Sequence, residues 1–510
     1  MNIFGKMGGI ALSVVLVSGA VGCKKSYLDR SPSDAVAIDS VFRTTATAKE
    51  AVQGLHRYMY QVGDPETFGQ KSIDLMSDLM GEDMPISGTG AGWYTSVYNY
   101  NDARVSGGTP GYTWGYYYRI INNANMILAN IDKAEGPQNE RDNIKGQAMF
   151  YRAFAYYNLC LYYQQTYAGT GPFNGQTMDF KNAPGVPLYT APTTVGTPRA
   201  PMSEVFAQIT SDLRNAIELL DGNTAGGGKT EINQNIAKGL YARVALSMND
   251  WPTAAQMANE ARQGYPYMSA AECQAGFNSA NNPEWMWAST TNNEQLGNAY
   301  NSFISHMIYG SGGYANLGCQ KVFYRPLAES IKPTDVRINW YYKKDEAPGF
   351  VPYSQKKFKQ KTPGNWSTDL LWMRAGEMAL IEAEARAFAG QVGQAKQVLD
   401  EFIQTRDASY SAPSVKDDLI KEIVLQRRIE LWGEGFRFID IKRQMAFPQL
   451  ADNVKGLHRR TTSNDVSPNG LHVSLYVGSR SKDIGIYASD FLFKIPSSEL
   501  SNNKGVVQNQ

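Results

Sequence analysis

Residues able to do chemistry gather in two stretches rich in Gly, Asn and Pro. Residues 81–112 read GEDMPISGTGAGWYTSVYNYNDARVSGGTPGY and hold Trp93, Tyr94, Tyr98, Asn99, Tyr100 and Arg104. Residues 264–366 add Trp287, Tyr300, Tyr314 and Asn316. Flat rings flanked by amides and a guanidinium suit a ligand with apolar faces and hydroxyl edges, which is the chemistry of a sugar ring. Binding residues favour loops on a rigid scaffold, so these positions are the candidate site. Trp93, in a Gly-rich loop without apolar neighbours, leads them. Trp287 stands two residues after Trp285 in a strand-like run, and one of the two is expected to face the core.

Other chemistry is hard to find. Ala225-Gly-Gly-Gly-Lys-Thr230 lacks the first Gly of a phosphate-binding loop, because Asn223 stands there, and a helix precedes it instead of a strand. Gly88-Thr-Gly-Ala-Gly92 lacks dinucleotide spacing. There is no HExxH, GxSxG or calcium-loop motif, and the four His (His56, His306, His458, His472) do not pair at ligand spacing. Glu377, Glu382 and Glu384 can suggest a two-carboxylate hydrolase, but on a repeat helix they read as solvated or ion-paired groups. No catalytic residue, metal ligand set or cofactor site is expected. Of the four cysteines, Cys160 reads as a small buried hydrophobe, and a Cys273–Cys319 bridge is open.

The scaffold that must carry these loops reads as helical. Ile144, Ala148, Tyr151, Ala155, Leu159 and Tyr162 form one helical face, and Phe150, Phe154, Tyr157 and Leu161 cover much of the rest, predicting a helix sandwiched between neighbours. Val205, Ile209, Leu213, Ile217 and Leu220 stripe the next helix. Segments 233–263 and 370–405 look like helix–turn–helix repeats of the tetratricopeptide kind, with small residues where helices approach (Ala242, Ala245, Ala254, Ala258, Ala261; Ala379, Ala383, Ala387, Ala395). Segments 45–62 and 139–220 can supply two more, the second interrupted by 164–201. Short strands are expected at 285–289 and 491–495. Glu430, Glu434, Arg437, Asp440 and Arg443, at three- and four-residue steps, predict an ion-pair network along one helix. Charge is balanced, with 49 Lys plus Arg against 48 Asp plus Glu, which argues against a nucleic-acid binder.

Residues 1–22 read as a signal peptide, with Lys6 before a 12-residue apolar stretch from Ile10 to Val21, too short to span a bilayer. Gly22-Cys23 resembles a bacterial lipobox, although Ala20 stands where such boxes usually carry Leu. Lipidation at Cys23 would hold the body on a membrane surface.

Four further stretches in order complete the pattern: Cys23-Lys-Lys-Ser-Tyr-Leu-Asp29, Met149-Phe-Tyr-Arg-Ala-Phe-Ala-Tyr-Tyr-Asn-Leu159, the run from Arg427 to Arg443 containing Glu-Leu-Trp-Gly-Glu-Gly-Phe-Arg, and Ile495-Pro-Ser-Ser-Glu-Leu-Ser-Asn502 ending in Gln508-Asn509. Together they resemble the SusD/RagB family of Bacteroidetes outer-membrane lipoproteins. The resemblance implies a mostly α, SusD-like fold: interrupted tetratricopeptide-type helix pairs with a loop-rich region carrying short β-strands. It implies one domain over 23–510, divided into 23–263 and 264–510. It further implies a non-enzymatic, cell-surface protein that captures oligosaccharides and delivers them to a SusC-like TonB-dependent transporter. Lys24-Lys25 follow Cys23 where surface lipoproteins often carry acids, so outward facing rests on the family. A peptide ligand and a lipid-anchored scaffold without a small ligand are the competing readings.

Overall fold

The computed structural model describes residues 38–86, 92–98, 100, 108–173, 175–222, 228–310, 312–343, 346, 351–450, 457–458, 483–484, 487 and 489–509. Asn99, Arg104, the signal segment and Cys23 lie outside them.

The core is organised by the helix that is apolar on two sides. Helices α1 (Thr45–Tyr58), α2 (Gln70–Met80), α3 (Gly108–Asn130), α4 (Gln138–Tyr163) and α5 (Met202–Leu219) open the chain. Phe150, Tyr151, Phe154 and Tyr162 of α4 are all buried, because α1, α3 and α5 pack around it. Arg152 of α4 donates to both carboxylate oxygens of Asp212 on α5, at 2.8 and 2.7 Å. The insertion between these helices folds into two small antiparallel pairs, β1 (Thr170–Phe173) with β2 (Gln176–Asp179) and β3 (Pro184–Pro187) with β4 (Arg199–Pro201).

The two repeat-like segments form helix pairs α6 (Gln234–Ser247) with α7 (Trp251–Ala261), and α8 (Ala375–Phe388) with α9 (Val392–Ile403). The alanines that let the helices approach are buried. Asn249 turns the first pair with φ of 58°, a conformation Asn tolerates. Asp250 then caps α7 by accepting from Thr253 N–H. The pairs are far apart in sequence yet adjacent in space. Trp251, just after the first turn, stacks on Phe388 at 4.6 Å, and Glu382 of α8 accepts at 2.9 Å from Arg262, the residue that ends α7. The long insertion leaves from α7 and returns before α8 because β5 (Trp285–Ser289) pairs antiparallel with β6 (Leu370–Arg374).

Beyond α9 the chain forms α10 (Lys416–Glu430) and α11 (Arg437–Gln444). These are two helices and not one. Gly433 and Gly435 take φ of 80° and 95°, ending the first helix where side-chain-bearing residues would be strained. The expected network is therefore three-dimensional, and among its five residues only Asp440 and Arg443 pair along one helix, at 2.9 Å. Glu430 accepts from Arg337, Arg374 and Arg406 at 3.0, 2.8 and 3.1 Å. Glu284 shares Arg374 and Arg406, Glu434 takes Arg374 and Lys357, and Asp335 takes Arg337. Four cations thus meet four carboxylates in the interior, so the buried cluster is neutral. Burial pushes Glu430 upward, but Arg406, Arg374 and Arg337 outweigh it and hold the carboxyl well below its ordinary range.

Of the two expected states, solvated or ion-paired, Glu377, Glu382 and Glu384 take the second: they are buried and paired with Arg243, with Arg262 and Arg386, and with Arg443. The strand expected at 491–495 does not form. Its Phe493 N–H donates to the Tyr162 carbonyl and its Ile495 N–H to the Gln508 side chain, ties to two different parts of the chain that leave no ladder. Cys273 and Cys319 are buried and not joined by a disulfide. No helix of the described residues is long and apolar enough to cross a membrane.

Candidate functional site: an arc of aromatic rings

The two insertions meet at one place. After α2 the chain reaches Gly92, whose carbonyl accepts from both Thr95 N–H and Thr95 Oγ1–H, opening a single helical turn over Thr95–Tyr98. Tyr94 sits before it with φ of 60° and is turned inward, buried against the His306 ring at 5.2 Å. Trp93 is left half-buried at the surface and meets Tyr314 edge-on at 5.3 Å.

Tyr314 is the hub. Its hydroxyl donates to Asn301 Oδ1 at 2.6 Å, and Asn301 in turn donates to the Gly63 carbonyl at 2.9 Å, tying the ring to the connection between α1 and α2. Its N–H donates to Ser305 Oγ at 3.0 Å. Tyr300 packs on Tyr314 at 4.6 Å and on Trp366 at 5.5 Å, with its hydroxyl donating to the Gly312 carbonyl. Gly313 makes this closeness possible: a Cβ there would lie 2.7 Å from both the Ser305 carbonyl and the Trp366 ring. The outcome is a continuous arc, Trp93–Tyr314–Tyr300–Trp366, of which Trp93, Tyr300 and Trp366 are half-buried. Asn316 is exposed beside it, its Oδ1 accepting from Gly310 N–H at 2.9 Å.

Beneath the arc lies His306, stacked between Phe68 and Tyr314 at 5.5 and 4.7 Å. Burial, reinforced by the Lys321 charge, holds it well below the ordinary histidine range, so it is neutral, and Nε2–H donates to the Pro65 carbonyl at 2.6 Å. Such a floor is polarisable and uncharged. Rings of this kind can stack on the C–H faces of a pyranose, while Asn316 offers an amide to hydroxyl edges. Among the described residues no group of three or more His, Cys, Asp or Glu gathers as metal ligands would.

The structure brings together Trp93, Tyr300, Tyr314 and Asn316 from the sequence-derived set. It does not bring Trp287. That ring lies in the core among Phe150, Phe154 and Trp372, because every residue of β5 is covered, and Trp285 is equally buried. Tyr94 and Tyr98 are also inside, Tyr94 through its backbone turn and Tyr98 as part of the buried face of its helical turn. Trp366 was missed. It had the same signal as Trp93, a lone Trp in a turn-forming Thr362-Pro-Gly-Asn-Trp366 stretch.

Comparison with known proteins gives the same answer as the fold. Residues 26–246 match a SusD-like family described as starch-binding and associating with the outer membrane, and residues 330–510 match the SusD family. The chain belongs to the SusD/RagB family. A SusD-like carbohydrate binding protein from Bacteroides vulgatus is 26% identical, with 91% of this chain and 98% of that one superposing at a TM-score of 0.75. A SusD superfamily protein from Bacteroides thetaiotaomicron shares the fold at 20% identity, covering 92% and 100% at a TM-score of 0.74. The SusD-like protein P2 of Formosa agariphila is 28% identical over 255 residues, 49% of this chain and 46% of that protein. The chain thus spans less than half the length of that curated relative.

Proposed function

We propose that this protein is a lipid-anchored binding protein of the outer-membrane surface, not an enzyme. In this reading it captures oligosaccharides on the arc of Trp93, Tyr300, Tyr314 and Trp366 and delivers them to a SusC-like TonB-dependent transporter. The observation that carries the reading is the arc itself: rings from two insertions in mutual contact, three of them half-open to solvent around the buried Tyr314, on a scaffold whose charges are consumed internally. A scaffold that met only another protein would have no need of Trp in Gly-rich turns. Family membership supports the transporter partner, and Cys23 in its lipobox-like setting supports the anchor.

The test is binding of the purified full-length protein to a panel of soluble glycans and peptides, by affinity electrophoresis and calorimetry. One glycan class is expected to be retained, and Trp93→Ala and Trp366→Ala each to weaken it by about tenfold or more, given ~1–3 kcal/mol per stacked ring by analogy with bases on aromatic side chains. Retention of peptides alone would replace the ligand class. Glycan binding untouched by both variants would remove the site from the arc.

A further inference from the structure

A second recess, lined by none of the arc's rings, opens between α1, α4 and the loop after β5. Its volume is about 270 Å³, just below the ~300–1,000 Å³ range of drug-sized small-molecule sites, which suits one ring and not a chain. Gln53, Thr290 and Gln295 stand exposed at its mouth, and the floor is formed by buried His56, Gln147 and Tyr151.

The floor has a defined direction. Trp372 Nε1–H, which can only donate, donates to Ser289 Oγ at 2.9 Å. Ser289 Oγ lies 2.9 Å from His56 Nε2, and His56 Nδ1 lies 3.3 Å from the Tyr151 hydroxyl. Ser289 is fully buried. If His56 donated through Nε2, the serine hydroxyl would keep a proton with nothing to receive it. Buried donors are rarely left so. Ser289 therefore donates to Nε2, and Nδ1–H donates to Tyr151. That arrangement uses the acceptor side of the Tyr151 hydroxyl and leaves its proton for the recess. Burial holds His56 down to about 4, so the relay is uncharged at neutral pH.

The remaining lining fixes the ligand class. Lys49 and Glu231 lie on the rim 2.9 Å apart and neutralise one another, so neither an anion nor a cation is specifically called for. Amide and hydroxyl edges dominate what is left. We propose that this recess is a separate binding site for a single neutral sugar ring, whose oxygen accepts the Tyr151 proton and whose outer hydroxyls meet Gln53, Thr290 and Gln295. The site stands independently of the arc.

The experiment is calorimetry on full-length Trp93→Ala/Trp366→Ala protein, in which the arc is disabled. The probes are glucose, galactose, mannose and xylose, with glucuronate and inorganic phosphate as charged controls. At least one neutral sugar is expected to bind. Tyr151→Phe, which removes only the hydroxyl, should weaken it about tenfold, and Gln53→Trp, at an exposed position, should abolish it with the melting temperature unchanged. The proposal is overturned if no neutral sugar binds, if binding survives Gln53→Trp, or if a charged probe binds in preference. The placement of capture on the arc fails by a different sign, namely wild-type glycan affinity that ignores Trp93 and Trp366, and the capture of glycans fails by retention of peptides alone.

Discussion

The cluster around Glu430 and the arc around Tyr314 use opposite materials for opposite purposes. The first places charges inside, four cations against four carboxylates, with almost no exposure. The second leaves large aromatic rings half in water, held by a few neutral hydrogen bonds. Buried ion pairs have fixed partners and geometry, and removing one leaves the rest uncompensated. Half-exposed rings have no such obligations and are free to meet a ligand. Charged motifs in this chain therefore mark scaffold, and rings in turns mark the candidate site.

Breaking the first region should have the largest effect. Glu430→Gln leaves Arg337, Arg374 and Arg406 facing one another without their shared carboxylate, and is expected to cost about 3–5 kcal/mol of stability in urea titration. Glycan affinity per folded molecule should be unchanged; a large fall in affinity would show the two regions to be coupled.

Acid should reproduce part of that loss. Glu430 and Glu434 are lowered from an ordinary value of 4.5, and Asp440 from 3.8, with burial opposing and neighbouring Arg and Lys charges prevailing. Their contribution is fully present above those ordinary values and is lost as pH falls through the lower folded-state values. The stability gap between wild type and Glu430→Gln should hold from pH 7 to about 5 and shrink below about pH 4. A gap that stays constant to pH 3 would contradict the charge account.

Gly313→Ala probes the arc without removing a ring. The residue has φ of −77°, so the backbone is unstrained and the added methyl acts only by displacing Trp366 or Ser305. Overpacking of this kind costs about 1–3 kcal/mol. Binding should weaken several-fold, and unchanged binding would mean that the spacing of Trp366 from Tyr314 is immaterial. The smallest effect is expected from Tyr314→Phe. It keeps the ring and deletes the 2.6 Å bond to Asn301, for about 1 kcal/mol in thermal or urea unfolding.

Much of the scaffold was legible in the sequence because its signals are local. The period of α4, the alanines of the paired helices and the turn residues Asn249 and Gly390 each act within a few positions. The break at Gly433-Glu-Gly435 was equally local, and reading the charges from Glu430 to Arg443 as one helix overlooked two glycine breakers two positions apart. The candidate site was half legible: Trp93, Tyr300, Tyr314 and Asn316 stand together, whereas Trp287 belongs to the core and Trp366 completes the arc.

What the sequence determined by itself is the helical repeat character, the near-balance of charge, and a surplus of rings in turn-rich insertions. Tertiary structure alone decided which of those rings meet water. Exposure depends on what packs against a residue, and here the partners are distant in the chain: β5 is sealed by pairing with β6, and Tyr314 is fixed through Asn301 to Gly63. A pattern read over a dozen residues cannot report a neighbour that arrives from two hundred positions away.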